Sequence, residues 1–372
     1  GLTVWLYIII PKGFLPPQDT GLLTAVLEAS ADVSFTEMVR LQDEVSTKLR
    51  EDRDVTGVVS VVGIGSLNTT LNTSRMTITL RPHQQRDSAQ IIAERLRQRI
   101  SDLPGAKLYI QAAQDIQIST RSSRSQFQYT LASADADELA KWSQALAKQL
   151  ARSSLLRNVA SETQEGGLQL LVDIDREKAG RLGVSIQNIA DTLNSAFGQR
   201  QIATIYAQSN QYRVILEAAP QYQTDPSALQ KLFVTGAGGI QTPLESFALI
   251  KRVTAPLSIA HQEQFPAATI SFDLAAGESL GDAVREVERL RHEVGVPDSL
   301  SGSFNADAAE FQRSLESEPW LILAAIVTIY LVLGILYESF VHPFTILTTL
   351  PSAGVGALLS LLLLGHDLSI IA

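Results

Sequence analysis

Two uncharged apolar stretches stand in tandem late in the chain, and they limit what it can become. Trp320 to Tyr337 (WLILAAIVTIYLVLGILY) and Pro343 to Gly365 (PFTILTTLPSAGVGALLSLLLLG) contain no Asp, Glu, Lys or Arg. Each is close to the ~20 residues that cross a hydrocarbon core. Only Glu338 to His342 separates them, so they read as a transmembrane hairpin rather than as buried helices of a large soluble protein. Ser352, Gly356 and Ser360 repeat a small residue at every fourth position, a spacing that predicts close approach of another helix. Pro351 predicts a kink. Neither stretch holds an acid or a lysine, so proton-carrying side chains are expected outside this chain.

The first residues, Leu2 to Ile10 (LTVWLYIII), are apolar but too few to span a bilayer, and they lack the basic segment and cleavage site of a signal peptide. The last, Ser369 to Ala372, open another apolar run. Both ends are expected to be cut through membrane helices, which makes the chain an internal fragment. Hydrophobic residues make up 45% and charged residues 19%, a low charged share for a wholly soluble protein. The net charge of −9, with no basic stripe, argues against nucleic acid as a partner. The absence of cysteine excludes disulfide and thiol chemistry.

Between the apolar ends a strand–helix–strand unit recurs four times. The first has a strand near Leu22 to Leu27, then Ser34 with Glu37, then Met38, Val45 and Leu49. The second has Met76 to Leu80, Asp87 with Gln90, then Ile91, Leu96 and Ile100. Phe127 to Leu131, Asp135 with Glu138, and Leu139, Trp142, Leu146 and Leu150 make the third. Ile270 to Leu274, Ser279 with Asp282, and Leu280 through Val294 make the fourth. The strands alternate apolar and polar, the Ser/Asp pairs read as capping boxes, and the helices carry one apolar stripe. Short strands follow at Val55 to Val62, Leu108 to Gln111, Asn158 to Glu162 and Gly302 to Asn305. Taken in pairs, the units predict two ferredoxin-like sheets with helices on one face. The second pair is interrupted by residues 164–258, an insert with a strand over Leu168 to Asp175, helices through Ala179 to Leu193, extended segments at Gln201 to Tyr206 and Tyr212 to Ala218, a short helix near Pro226, and a hairpin from Phe233 to Leu244.

A large loop of paired sheets with one insert, followed by a membrane hairpin, resembles the second half of a resistance–nodulation–division exporter. The strings Pro11 to Gly21 (PKGFLPPQDTG), Arg176 to Val184 (REKAGRLGV), Leu333 to Phe340 (LGILYESF) and Leu350 to Gly356 (LPSAGVG) carry the likeness. Phe197 to Ile202 (FGQRQI) with Asn210 to Val214 (NQYRV) resembles the MdtB-type subgroup. The fold class implied is α+β: two ferredoxin-like porter subdomains, at 12–117 and at 118–163 with 259–308, a docking domain over 164–258, and an all-α transmembrane hairpin over 309–372 after a truncated helix at 1–11. The resemblance implies a trimeric inner-membrane pump, built of one subunit type or two. Driven by the proton gradient, it would pass amphiphilic molecules through a periplasmic adaptor to an outer-membrane channel. It implies membrane lipid around the spans, most of the fragment in the periplasm, and no cofactor.

In that family a glycine-rich switch loop divides two substrate pockets, and the matching residues are Gly63, Ile64, Gly65, Ser66 and Leu67, within Val61 to Ser74. Glycines let such a loop change shape at low cost, although a plain hairpin loop has the same composition. The loop lacks the phenylalanines common in the family's best-known drug pumps. Pocket positions map onto Ala25, Leu27, Val59, Val61, Thr77, Phe127, Tyr129 and Leu131. The alternation of Phe127, Tyr129 and Leu131 equally describes a core strand. Gly236, Ala237, Gly238 and Gly239 form a turn that the resemblance points toward the channel or adaptor. It is not a dinucleotide loop, because Ile240 to Pro243 continue extended and open no helix.

Catalytic and metal readings have little support. Histidines 83, 261, 292, 342 and 366 show no ligand spacing, and Asp173 with Asp175 would need further oxygen ligands to hold calcium. A copper or silver exporter of the same fold would be expected to carry methionine clusters, and this chain has only Met38 and Met76. A membrane-anchored subunit that handles polypeptide is the alternative from another class.

Overall fold

The computed structural model describes residues 2–10, 18–65, 67–114, 123–164, 166–275, 277–305, 307–364 and 368. A short helix α1 (Leu2–Ile9) comes first. The first pair of repeats then gives β1 (Leu22–Ala29), α2 (Phe35–Arg50), β2 (Val55–Val62), β3 (Thr73–Leu80), α3 (Ala89–Ile100) and β4 (Ala106–Ala112). The strands lie antiparallel in the order β2-β3-β1-β4. One side chain in two faces the helices: Leu23, Ala25, Leu27, Met76 and Ile78 are sealed against Met38, Leu41 and Val45 of α2 and Ile92 and Leu96 of α3. Burial of each large apolar side chain contributes about 1.5–3 kcal/mol.

The third repeat supplies β5 (Phe127–Ala132), α4 (Ala136–Leu150) and β6 (Leu156–Ser161). The chain next forms a separate unit, residues 165–255, which lies within the stretch 164–258 read as an insert. It holds β7 (Gly167–Ile174), α5 (Arg176–Arg181), α6 (Ile186–Phe197), the hairpin β8 (Arg200–Tyr206) and β9 (Gln211–Leu216), α7 (Ser227–Gln230), the hairpin β10 (Phe233–Thr235) and β11 (Gln241–Pro243), and β12 (Ala248–Ala255). Its small core gathers Ala179, Val184, Ile189, Val234, Leu244 and Phe247. Sequence patterning missed β12, whose centre carries Lys251 and Arg252. It pairs with β7 from Ala248↔Ile174 to Ala255↔Gly167, and Lys251 Nζ reaches Asp173 Oδ2 at 2.8 Å.

The fourth repeat returns to the second sheet with β13 (Ala260–Gln262), β14 (Phe265–Leu274), α8 (Leu280–Val294) and β15 (Ser301–Asn305). β14 lies between β5 and β6, and β15 borders β5. The order β6-β14-β5-β15 repeats that of the first sheet, each with the split βαβ topology, and β13 adds a fifth strand beside β14. The insert therefore joins the second and third strands of one such sheet.

Helix starts follow the capping residues with one exception. Ser34, Asp135 and Ser279 accept from Glu37 N, Glu138 N and Asp282 N at 3.1–3.2 Å. The expected pair Asp87 with Gln90 does not cap α3. Its first amide, Ala89 N, instead donates to Asp19 Oδ2 at 2.8 Å, from a segment seventy residues earlier. Arg86, buried, holds the same carboxylate through Nη1 at 2.8 Å and Nη2 at 2.5 Å. Asp87 turns to Arg95 at 3.1 Å. A remote carboxylate with its own arginine gives a charge-assisted cap that a local side chain does not match.

After β15 the chain enters α9 (Asp307–Tyr337), α10 (Val341–Leu347) and α11 (Leu350–Leu364). Residues 320–337 and 341–364 are long and apolar enough to cross a membrane, with mean hydropathy 2.5 and 1.9. The break between α10 and α11 falls just before Pro351, whose ring excludes the preceding helical carbonyl. α1 packs on α11 through Leu6, Ile10 and Leu358. The small residue that admits it is Gly354, where a Cβ would stand 3.0 Å from Thr3, and not the expected Gly356, which has nothing within 4 Å.

The Arg86 guanidinium holds the Asp19 carboxyl well below the usual carboxylate range. A depressed carboxyl stabilises the fold at neutral pH and loses that contribution as pH falls below the unfolded value of ~4. Asp19→Asn is therefore expected to cost about 1.5–3 kcal/mol at pH 7 and to flatten the acid limb of stability, read by thermal melting of the full chain across pH 3–7.

Candidate functional site

The helices cover one face of the first sheet and, among the described residues, leave the other face without a covering helix. Two rows of side chains cross its centre. Val61, Arg75, Val26 and Tyr109 stand in register, and beside them Val59, Thr77, Thr24 and Gln111. Val59 is 67% exposed and Val61 39%, and Thr77 is exposed on the same side. Ala25 and Leu27 have the opposite parity. They are buried against the helices at 2% and 0% exposure, so they belong to the core and not to this face. Thr24, Val26, Arg75, Tyr109 and Gln111 were not singled out from sequence, although the same alternation carries them.

Phe127, Tyr129 and Leu131 are also core residues, facing α4 and α8 in the second sheet. Tyr129 is fully buried, with its ring edge-on to Phe304 at 4.8 Å and its hydroxyl donating to Glu288 at 3.3 Å. Burial pushes that phenol up to about 12. The opposite face of this sheet is polar and bonded to itself: Thr130 and Thr269 hydroxyls lie 2.8 Å apart, and Asn305 donates to Thr130 at 2.6 Å. Of the two sheets, the first has the face on which apolar side chains, Val59 and Val61, are exposed.

The glycine-rich loop leaves that face from the end of β2. Its second half is pinned. Asn68 Nδ2 donates to Val61 O at 2.8 Å, Ser74 Oγ donates to Val61 O at 3.1 Å, and Asn72 Nδ2 donates to Ala29 O at 3.0 Å. Asn68, Thr70, Asn72 and Ser74 are thus buried fastenings. Nearer the tip Ile64 is 68% and Leu67 47% exposed, and a Cβ on Gly65, whose amide donates to Asn68 O at 2.9 Å, would meet nothing within 4 Å. Gly63 adopts φ +98°, which disfavours any other residue. Ser66 lies outside the described residues.

At one edge of the open face a polar clasp joins the two sheets. The Glu28 carboxylate is gripped by Arg124 and by the Gln164 amide, Asn72 donates to Gln164 at 2.6 Å, and Arg124 also donates to Ser161 O at 3.1 Å. Burial raises the Glu28 carboxyl against the pull of Arg124. Burial and the Glu28 charge push Tyr109 up to about 12.

In the inserted unit the Gly236 to Gly239 turn is fastened at its first half. Ala237 N donates to Gly183 O at 2.7 Å, and a Cβ on Gly236 would meet Leu182 O at 3.2 Å. Gly238 and Gly239 take φ +70° and +80° with open space around them. Asp173 pairs with Lys251, and Asp175 caps α5 at Lys178 N, 3.0 Å. Both carboxylates thus have structural work. Among the described residues no three His, Asp or Glu side chains gather as a metal site.

Two homologous ferredoxin-like sheets, one interrupted by an α/β unit and followed by two membrane-length helices, define a class of membrane pump. The AcrB/AcrD/AcrF family model matches residues 1–372, and the chain belongs to that family of RND pumps. It is 45% identical over its whole length to multidrug resistance protein MdtC of Klebsiella pneumoniae and of Escherichia coli, a name close to the MdtB type expected. It spans 36% of the length of those relatives. Two solved structures of a heavy metal efflux pump share the fold, with TM-scores of 0.84 and 0.83 at 21% and 20% identity, over 99% of this chain and 39% of theirs.

The division between core and open face is measurable. Tyr129→Ala is expected to cost about 3–5 kcal/mol, whereas Val59→Ala and Thr77→Ala stay within about 0.5 kcal/mol, read by thermal melting of the full chain in detergent.

Proposed function

We propose that this chain is the substrate-handling part, with two spans, of a proton-driven exporter of drugs, bile salts and similar amphiphiles. The observation that carries the reading is a glycine-containing loop with a pinned base, exposing Ile64 and Leu67, beside a sheet face that exposes Val59 and Val61. Such a face binds amphiphiles by burying apolar area without strict directional demands. A loop free only at its tip can change shape while its ends stay fixed. On this reading residues 12–117 form one porter subdomain, 118–163 with 259–308 the second, and 164–258 a docking domain. The Gly238–Gly239 tip would meet the adaptor or outer-membrane channel. The pump would work as a trimer in the inner membrane, with most of this chain in the periplasm.

A cation exporter of the same fold is the competing reading, because the two solved structures of similar fold are of a heavy metal efflux pump. The only soft ligands here are Met38 and Met76, 0% and 1% exposed in the helix-side core, where they cannot meet a passing ion. That favours amphiphiles.

The test is growth inhibition of a pump-deficient bacterium that expresses the full-length pump with its adaptor. Bile salts, novobiocin-like amphiphiles, zinc and copper are compared. Gly65 N donates to Asn68 O at 2.9 Å, so Gly65→Pro removes that bond and fixes φ, whereas Gly65→Ala meets no neighbour. Protection against amphiphiles is expected from the native and Ala forms and is lost in the Pro form. Protection against metals alone selects the cation reading. Protection against nothing selects a polypeptide-handling role.

A further inference from the structure

Arg75 stands in the middle of the open face of the first sheet. Its neighbours in sequence, Ser74 and Met76, are 0% and 1% exposed on the helix side, so its own side chain leaves the opposite way. It is held between Val61 on β2 and Val26 on β1, two residues along β3 from Thr77. The side chain is half-buried, and its Nε is a buried donor with no hydrogen-bond partner among the described residues.

Every other covered arginine of this region has an acid. Arg86 is paired with Asp19, Arg95 with Asp52 and Asp54, Arg97 with Glu94, and Arg124 with Glu28. Among the described residues Arg75 has none within 4.0 Å. Glu28 is the acid on the same face, and both of its oxygens are occupied, one by Arg124 and the other by Gln164. Lys107, opposite Glu28 on β4, adds to the positive character of the face. Burial alone acts on Arg75, drawing its pKa below the ordinary arginine value.

A desolvated cation without a counter-charge destabilises a fold, and removing it to water or supplying an anion are the two remedies. The second suits this site. Exposed Val59 and Val61 lie to one side, and the loop tip with Ile64 and Leu67 continues from the same strand. An apolar body can rest there while two oxygens of an oxyanion accept from the guanidinium fork. We infer that Arg75 is a specificity-determining residue that selects amphiphiles carrying a carboxylate or sulfonate headgroup. This rests on the exporter reading above for its place in transport, but the binding itself does not.

The test uses purified full-length pump and three probes: cholate, the neutral octyl glucoside, and cationic benzalkonium. In Arg75→Gln, cholate affinity is expected to fall about ten- to hundredfold, the loss of one charged hydrogen-bonded contact, while the other two probes hold within about twofold. Arg75→Lys keeps the charge without the fork and is expected to fall between. Unchanged cholate affinity in Arg75→Gln, no cholate binding by the native pump, or a parallel loss of all three probes would each overturn the inference. So would displacement of phosphatidylglycerol, rather than cholate, by the substitution, which would make a lipid headgroup the occupant. The growth assay separates the two readings. A native pump that protects against no amphiphile sinks the exporter reading, and the cholate titration still decides the role of Arg75.

Discussion

The Glu28 carboxylate sits where the edge of one sheet meets the end of another, with Arg124 and Gln164 closed over it. Taking a carboxylate and a guanidinium out of water together is costly, and an apolar pair of equal volume would hold two surfaces as well or better. What the ionic clasp adds is direction. A buried pair tolerates only arrangements in which each charge keeps its partner, so it admits one seating of the second repeat pair on the first. Asn72 extends the clasp into the loop that follows β2, because its amide bonds Ala29 O and Gln164 Oε1 together. The fixed half of that loop, the junction of the sheets and the rim of the open face are therefore one connected structure.

This connection explains why the loop is free only where it is. Asn68, Thr70, Asn72 and Ser74 are all buried: Asn68 and Ser74 bond Val61 O, Thr70 meets the Thr73 hydroxyl, and Asn72 donates to Ala29 O and to Gln164. Composition alone calls such a stretch flexible. Ordered polar side chains in tight loops do the opposite, since every bond they make removes a conformation the chain could otherwise take. What the fastenings leave exposed is Ile64 and Leu67, which stand in solvent beyond them.

The architecture was legible because it rests on periodicities of two and 3.6, which survive in any window of sequence. The four paired strands of each repeat pair, their covering helices and the insert between the third and fourth repeats follow from that pattern, whereas the short β13 that makes the second sheet five-stranded does not. Contacts between distant segments were not legible. Asp19 capping α3, Gly354 admitting α1, and β12 closing on β7 depend on which residues meet, and no local spacing encodes that. The candidate site suffered from a simpler error of parity. Ala25 and Leu27 lie one residue away from Thr24 and Val26, and in a strand one residue is the difference between core and surface. Phe127, Tyr129 and Leu131 are the large apolar residues of their strand, and the helices claimed them.

Parity also decides what the open face can be asked to do. A strand that seals Met76 and Ile78 inward must send Arg75 and Thr77 outward, so the cation cannot be moved to a better-solvated place without turning the core inside out. An arginine kept there, flanked by Val61 and Val26 and denied the nearest carboxylate by the clasp, is strained by its own desolvation until an anion arrives. The same ion pair that fixes the two sheets thus leaves the central cation unsatisfied, and structural order at the edge of the face becomes chemical selectivity at its centre.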